Sequence, residues 1–274
     1  MRRFPAERIV CLTEETVETL YLLGEQDRIV GVSGYAVRPP QVRKEKPRIS
    51  SFTSADVEKI CALKPDLVLA FSDIQGPIIP DLVLAFSDIQ GPIIPDLARA
   101  GLAVHLFNQR DLAGIFAMIR TLGALIGEPA KADALACRLE TRIADIAAET
   151  QERVNRPRVY FEEWNDPMIS GIGWVSELIE IAGGTDIFAE LATRPEAKQR
   201  IVSSADVIAR APDVVLASWC GKKVKLDSFK ARDGWNAIPA VAAGRIVEIK
   251  SPLILQPGPA ALTDGLDAIR AALR

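Results

Sequence analysis

The chain has 274 residues, 33 basic against 36 acidic side chains, a formal charge of −3 and one histidine. Nearly balanced charge without a basic run speaks against a general nucleic-acid binder, and 49% apolar residues speak against intrinsic disorder. His105 alone cannot build a histidine-rich metal site, and Cys11, Cys61, Cys137 and Cys220 form no closely spaced pair for a zinc ribbon or a redox motif.

The elements alternate between apolar strands and helical patterns, the mark of α/β organisation. The first half reads as a strand at 8–12, a helix from about 14 to 23 stopped by Gly24, and a strand at 28–33. Thr13 is the expected N-cap, with Glu14 and Glu15 in the first turn, where the helix dipole favours them. A loop with Pro39-Pro40, a helix opened by Ser54, an apolar strand and the strand AVHLF (103–107) follow. No apolar run reaches the roughly 18 residues that a membrane helix needs, and the N-terminus lacks a signal-peptide stretch. The expected location is therefore cytoplasmic as written, and periplasmic if a leader has been trimmed.

One segment is duplicated without a mismatch: PDLVLAFSDIQGPII stands at 65–79 and again at 80–94. Solenoid repeats diverge and run to three or more copies, so this is read as a recent duplication rather than an architecture. Only one copy can hold a given sheet position, and the pattern does not choose between them.

The stretch 112–153 is helix former interrupted at Gly127-Glu128-Pro129, which gives a helix of roughly 24 residues and about 36 Å after the break. Beyond it come a strand at 158–162, a helix over WVSELIEIAGG (174–184), a short extended TDIF, a helix opened by Ser204 and a strand at 212–218. SADVEKICALKPDLVLAFS (54–72) and SADVIARAPDVVLAS (204–218) share helix start, Pro-Asp junction and strand, and Arg8 stands to Arg158 as Ser54 does to Ser204. The expected fold is two similar Rossmann-like α/β lobes joined by one long helix, 1–127, 128–154 and 155–274, with a ligand cleft between the lobes. Open α/β sheets bind ligands beyond the carboxyl ends of their strands.

RIVCLTEETVETLYLLG, RIVGVSGY with Pro39-Pro40, LKPDLVLAFSD, the long helix, EIAGG and GRIVEIKS with Pro259 together resemble the cobalamin and ferric-chelate class of ABC-transporter substrate-binding proteins, most of all its cobalamin-binding branch. The resemblance implies a corrinoid, cobalamin-type ligand held between lobes by aromatic and apolar loop residues, with no catalysis and no resident cofactor or metal. Carried over, the ligand-facing positions are Tyr35, Phe71 or its copy Phe86, and the loop Leu253-Ile254-Leu255-Gln256-Pro257. Such proteins work as monomers and dock on a permease through a glutamate near each lobe tip. In lobe one that neighbourhood is Gly76-Pro77 or Gly91-Pro92, and it holds no glutamate.

All four tryptophans lie in the second half. Trp164 and Trp219 follow strands and are read as aromatic faces for a flat macrocycle, each ring offering a large apolar area. Trp174 is balanced between core and ligand, and Trp235 is read as structural. His105 reads as a sheet histidine rather than an axial cobalt ligand. A ferric chelate or haem is the alternative ligand, for which Arg110 is the only obvious strand-end arginine. A different class is a cytosolic small-molecule enzyme using Glu162, Glu163 and Cys220, with Asp166 beside the acidic pair and Lys222 and Lys223 beside the thiol.

Overall fold

The computed structural model describes residues 4–50, 56–71 and 93–274. The chain divides into two units, Met1–Gln109 with Ala113–Arg138, and Arg110–Leu112 with Leu139–Arg274. Where the sequence sets the long helix apart as 128–154, contacts give its two parts to different units.

The N-terminal unit is built on five parallel strands: β1 (Ile9–Cys11), β2 (Ile29–Ser33), β3 (Arg48–Ser50), β4 (Leu67–Phe71) and β5 (Val104–Phe107), in the order β3-β2-β1-β4-β5. β1 and β4 are buried at every residue, as strands covered on both faces of a parallel sheet must be. Its helices are α1 (Glu14–Leu22), α2 (Val42–Glu45), α3 (Val57–Ala62), α4 (Ile93–Arg99) and α5 (Leu112–Leu125). Val10, Ile49, Ile60, Val68, Ile93 and Leu97 pack into one core between sheet and helices. Thr13 is the N-cap of α1, but its side chain caps no amide; its hydroxyl meets that of Thr16 at 3.1 Å. Asp56 caps α3 by accepting the Lys59 amide, whereas the expected opener Ser54 lies outside the described residues.

The duplication is resolved at both of its ends. Copy one supplies β4, and copy two supplies Ile93 and Ile94, which open α4.

The helix α6 (Pro129–Gln151) begins at Pro129, where proline lacks only a hydrogen bond that a first turn does not make. The C-terminal unit then has β6 (Arg158–Asn165), β7 (Met168–Ser170), β8 (Thr185–Asp186), β9 (Val214–Ala217) and β10 (Ile246–Glu248). Strands β10, β9 and β6 are parallel neighbours, β8 pairs in parallel with the start of β6, and β7 returns antiparallel along its end. Its helices are α7 (Gly173–Ile181), α8 (Ala189–Ala192), α9 (Ser204–Arg210), α10 (Asp227–Lys230), α11 (Pro239–Ala242), α12 (Ser251–Ile254) and α13 (Leu266–Ala272). Ser203, one residue before the expected opener, caps α9 in a reciprocal box with Asp206.

The echo between halves is physical. Asp66 accepts the Arg8 amide at 3.0 Å and Asp213 accepts the Arg158 amide at 2.8 Å, so each Pro-Asp junction ties its strand to the first strand of its sheet. Lys64 (φ 49) and Ala211 (φ 42), each just before that proline, are the non-glycine residues with left-handed backbone among the described residues.

Candidate ligand-binding face

The carboxyl ends of β6, β9 and β10 lie level, with Glu162 opposite Ala217 and Ala217 opposite Glu248. The segment after β9 is fastened here: the Gly221 amide donates to Ser251 Oγ at 3.3 Å and the Val224 amide to Glu248 Oε1 at 3.0 Å. Trp219, two residues beyond β9, is buried, stacks on Phe229 with ring centroids 6.2 Å apart, and donates its indole N–H to Glu162 at 3.1 Å. Trp164 does not follow a strand, as expected, but lies within β6. Pairing with β7 extends β6 past Glu162, and the Trp164 indole donates to the Asp166 carbonyl at 2.9 Å. The two tryptophans are nevertheless brought together, because Lys222 Nζ stands 5.0 Å from the Trp164 ring and 5.9 Å from the Trp219 ring.

The acidic pair at this edge is occupied internally. Glu162 is fully buried and accepts from Arg232 at 2.6 and 2.9 Å, from Trp219, and from the Tyr160 hydroxyl at 3.2 Å. Arg232 lies 4.5 Å over the Phe229 ring and 4.4 Å over that of Trp235, so the ion pair is walled by aromatics. Burial, and then the Glu162 charge, push the Tyr160 phenol well above its ordinary range. Glu163, on the other face of β6, accepts from the fully buried Arg200 at 2.6 and 3.2 Å, and Arg200 also donates to the Ser170 carbonyl. Two carboxylates committed to two arginines on opposite strand faces are not a general acid–base pair. His105 is in the other unit, half-buried against Phe107, its imidazole pKa lowered by burial. No group of three or more His, Cys, Asp and Glu among the described residues could hold a metal.

The stretch 253–257 also differs from the expected loop. Leu253 and Ile254 end the single turn of α12; Ile254 is fully buried and its carbonyl accepts the Trp174 indole at 2.8 Å. Ile254 and Trp174 are thus core, as is Trp235, whose indole donates to Ser204 Oγ at 2.5 Å. Gln256 and Pro257 are buried, while Leu253 and Leu255 are half-exposed. Gly265 holds α12 in place: a Cβ there would stand 2.3 Å from the Leu253 carbonyl oxygen, so only glycine allows the approach.

In the N-terminal unit Tyr35 lies in the turn after β2, half-buried, its amide donating to Ser33 Oγ at 3.3 Å. Phe71 ends β4 and is buried; Phe86 and the two Gly-Pro pairs expected near the docking tip lie outside the described residues. The sequence reading missed what holds the Tyr35 turn. Glu14 accepts the Val37 amide at 3.1 Å and Glu18 accepts from Arg38 at 3.0 Å. Burial raises the Glu14 pKa to about 8 and that of Glu15 to about 7. The available signal was position: a first turn that directly follows a buried strand points its acids inward as readily as outward.

Residues 9–253 match the family model described as periplasmic binding protein. A vitamin B12-binding protein of Vibrio cholerae is 28% identical over 218 residues, covering 78% of this chain and 71% of the relative. A cobalamin-binding protein of Halobacterium salinarum is 28% identical over 267 residues, covering 92% and 66%. Among solved structures, a periplasmic haem-binding protein from Roseiflexus sp. RS-1 in apo form is similar, with a TM-score of 0.75, 26% identity and coverage of 98% and 100%.

Proposed function

Because the chain belongs to the periplasmic binding protein family, whose members carry solutes without transforming them, we propose that it captures a corrinoid for an ABC transporter. The observation that carries this is the likeness, over most of the chain, to relatives named for vitamin B12 and cobalamin binding. The strand-end face agrees with it chemically: a flat, amide-rimmed macrocycle suits aromatic and apolar groups supplemented by amide donors and acceptors. Proposed contacts are Trp164, Trp219, Leu253, Leu255, Gln256 and Pro257 in the C-terminal unit, and Tyr35 and Phe71 in the N-terminal unit. Ile254, fully buried with its carbonyl engaged by the Trp174 indole, supports this segment from within the core.

Among the described residues no helix is long and apolar enough to cross a membrane. The permease of a corrinoid transporter is the proposed partner, and the extracytoplasmic side is the proposed place of action, in keeping with the family. Haem is the second reading, favoured by the haem-binding structure and by the lysines at the β9 end. A competition titration followed by tryptophan fluorescence separates the two. Cyanocobalamin is expected to quench with micromolar or tighter affinity, about −8 kcal/mol, and to resist displacement by haem. Saturable quenching by haem alone would overturn the corrinoid reading.

A further inference from the structure

Copy one fills β4, yet nothing within the strand distinguishes it from copy two: residues 82–86 repeat the LVLAF of Leu67–Phe71 side chain for side chain. The pairings that hold β4 are made by residues that copy two also has. Between β1 and β5, Val68 stands opposite Val10 and Val104, and Leu69 opposite Cys11 and His105. Asp66 accepts the Glu7 and Arg8 amides at 3.2 and 3.0 Å, and copy two carries its counterpart in Asp81, again after a proline. Where the copies differ is in what precedes them: Leu63-Lys64 leads into copy one and Ile78-Ile79 into copy two. Lys64 has left-handed backbone (φ 49), and there the Leu63 and Lys64 carbonyls accept from the Arg8 guanidinium at 2.6 and 3.2 Å. Lysine is strained in that conformation and a β-branched isoleucine more so, which favours copy one by on the order of tenfold. Moving the surplus from one side of the strand to the other lengthens one connection and shortens the other, and each doubling of loop length shifts the balance only about threefold.

We propose that β4 is a shared position: copy two takes it in a minor form of the folded protein, and the two forms interconvert by exchanging one strand for its identical copy. In the described form the surplus leaves from Phe71, at the carboxyl end of β4, and the chain re-enters at Ile93 of α4. In the exchanged form Phe86 stands in the place of Phe71, residues 87–92 alone connect the strand to α4, and the surplus lies between α3 and the strand, at the amino end of the sheet. The duplication thus acts as a two-position device that decides which connection is long, and it gives the sheet a spare central strand.

The test places a charge in each copy of the full chain: Leu69→Asp, Leu84→Asp and the two together. Leu69 is fully buried, and an unpaired carboxylate there is incompatible with the sheet. Stability is read by denaturant unfolding followed by far-UV circular dichroism. Leu69→Asp is expected to fold with copy two in β4, its folding constant lowered by on the order of tenfold, a factor that reads the ratio of the two forms in the wild type. Leu84→Asp should stay within about twofold of wild type, and the double variant should lose the cooperative unfolding of the N-terminal unit. Leu69→Asp as damaging as the double variant would overturn the proposal, because copy two then cannot serve as β4. Leu84→Asp as damaging as Leu69→Asp would overturn it too, since both copies would then be needed at once. A double variant as stable as wild type would also overturn it, since neither copy would then hold the central position.

Discussion

Replacing Glu15 with glutamine is expected to stabilise the N-terminal unit above neutral pH and to leave it unchanged in mild acid. Glu15 lies in the first turn of α1, directly after the buried strand β1, and one of its carboxylate oxygens has no hydrogen-bond partner. Burial raises its pKa from 4.5 to about 7, with Glu18 adding repulsion, against the lowering by a hydrogen bond from Thr13. Nearby, burial raises Glu14 to about 8, opposed by the Val37 amide and Arg38, and pushes the Cys11 thiol up to about 12. For a carboxyl whose folded pKa is raised, the folded chain binds more protons than the unfolded chain between the two values. Its contribution is then fully present below about pH 4.5 and is lost as pH rises through about 7. At about 1.4 kcal/mol per unit, Glu15 costs on the order of 3 kcal/mol once ionised. Denaturant unfolding followed by far-UV circular dichroism at about pH 4 and about pH 9 measures this. Glu15→Gln should match wild type at the lower pH and exceed it at the higher, with Glu14→Gln/Glu15→Gln flattening the profile further. A variant less stable than wild type at the higher pH, or an offset independent of pH, would refute the reasoning by showing a charged, well-paired carboxylate.

Two other outcomes follow from the packing. Deleting residues 80–94 yields the same polypeptide as deleting 65–79, because the copies are identical. The product keeps β4 and restores Ile-Ile before Pro95, so it should fold with a stability within about 1 kcal/mol of the parent; loss of cooperative unfolding would mean that a single copy cannot connect β4 to α4. Arg232→Met leaves the Glu162 carboxylate buried without its counter-ion and should cost about 3–5 kcal/mol, recovered in large part by adding Glu162→Gln. A loss under about 1 kcal/mol on tryptophan-monitored unfolding would mean that the pair is not needed.

The parallel α/β order was legible because each buried strand is a short apolar run followed by a helical period, and the Pro-Asp junctions marked the halves as related. Three features escaped for physical reasons. β7 is three residues long and follows Pro167, too short to show alternation, so the sequence pattern ends β6 at Glu162 and leaves Trp164 just beyond it. Pro252 reads as a breaker, yet it stands in the first turn of α12, where its missing N–H costs no helical bond. The Glu162–Arg232 and Glu163–Arg200 pairs join residues 70 and 37 positions apart. Only tertiary packing brings them together, so from sequence the acids read as solvated or bonded to loop amides, with catalysis the lesser alternative, and not as partners of buried arginines. The face that the strand ends would present was legible; which charges on it are already neutralised was not.

The central claim is tested most directly by calorimetric titration of cyanocobalamin into the full chain. The account predicts one ligand per chain with a dissociation constant on the order of micromolar or tighter. The absence of saturable heat at concentrations about a hundredfold higher would contradict it.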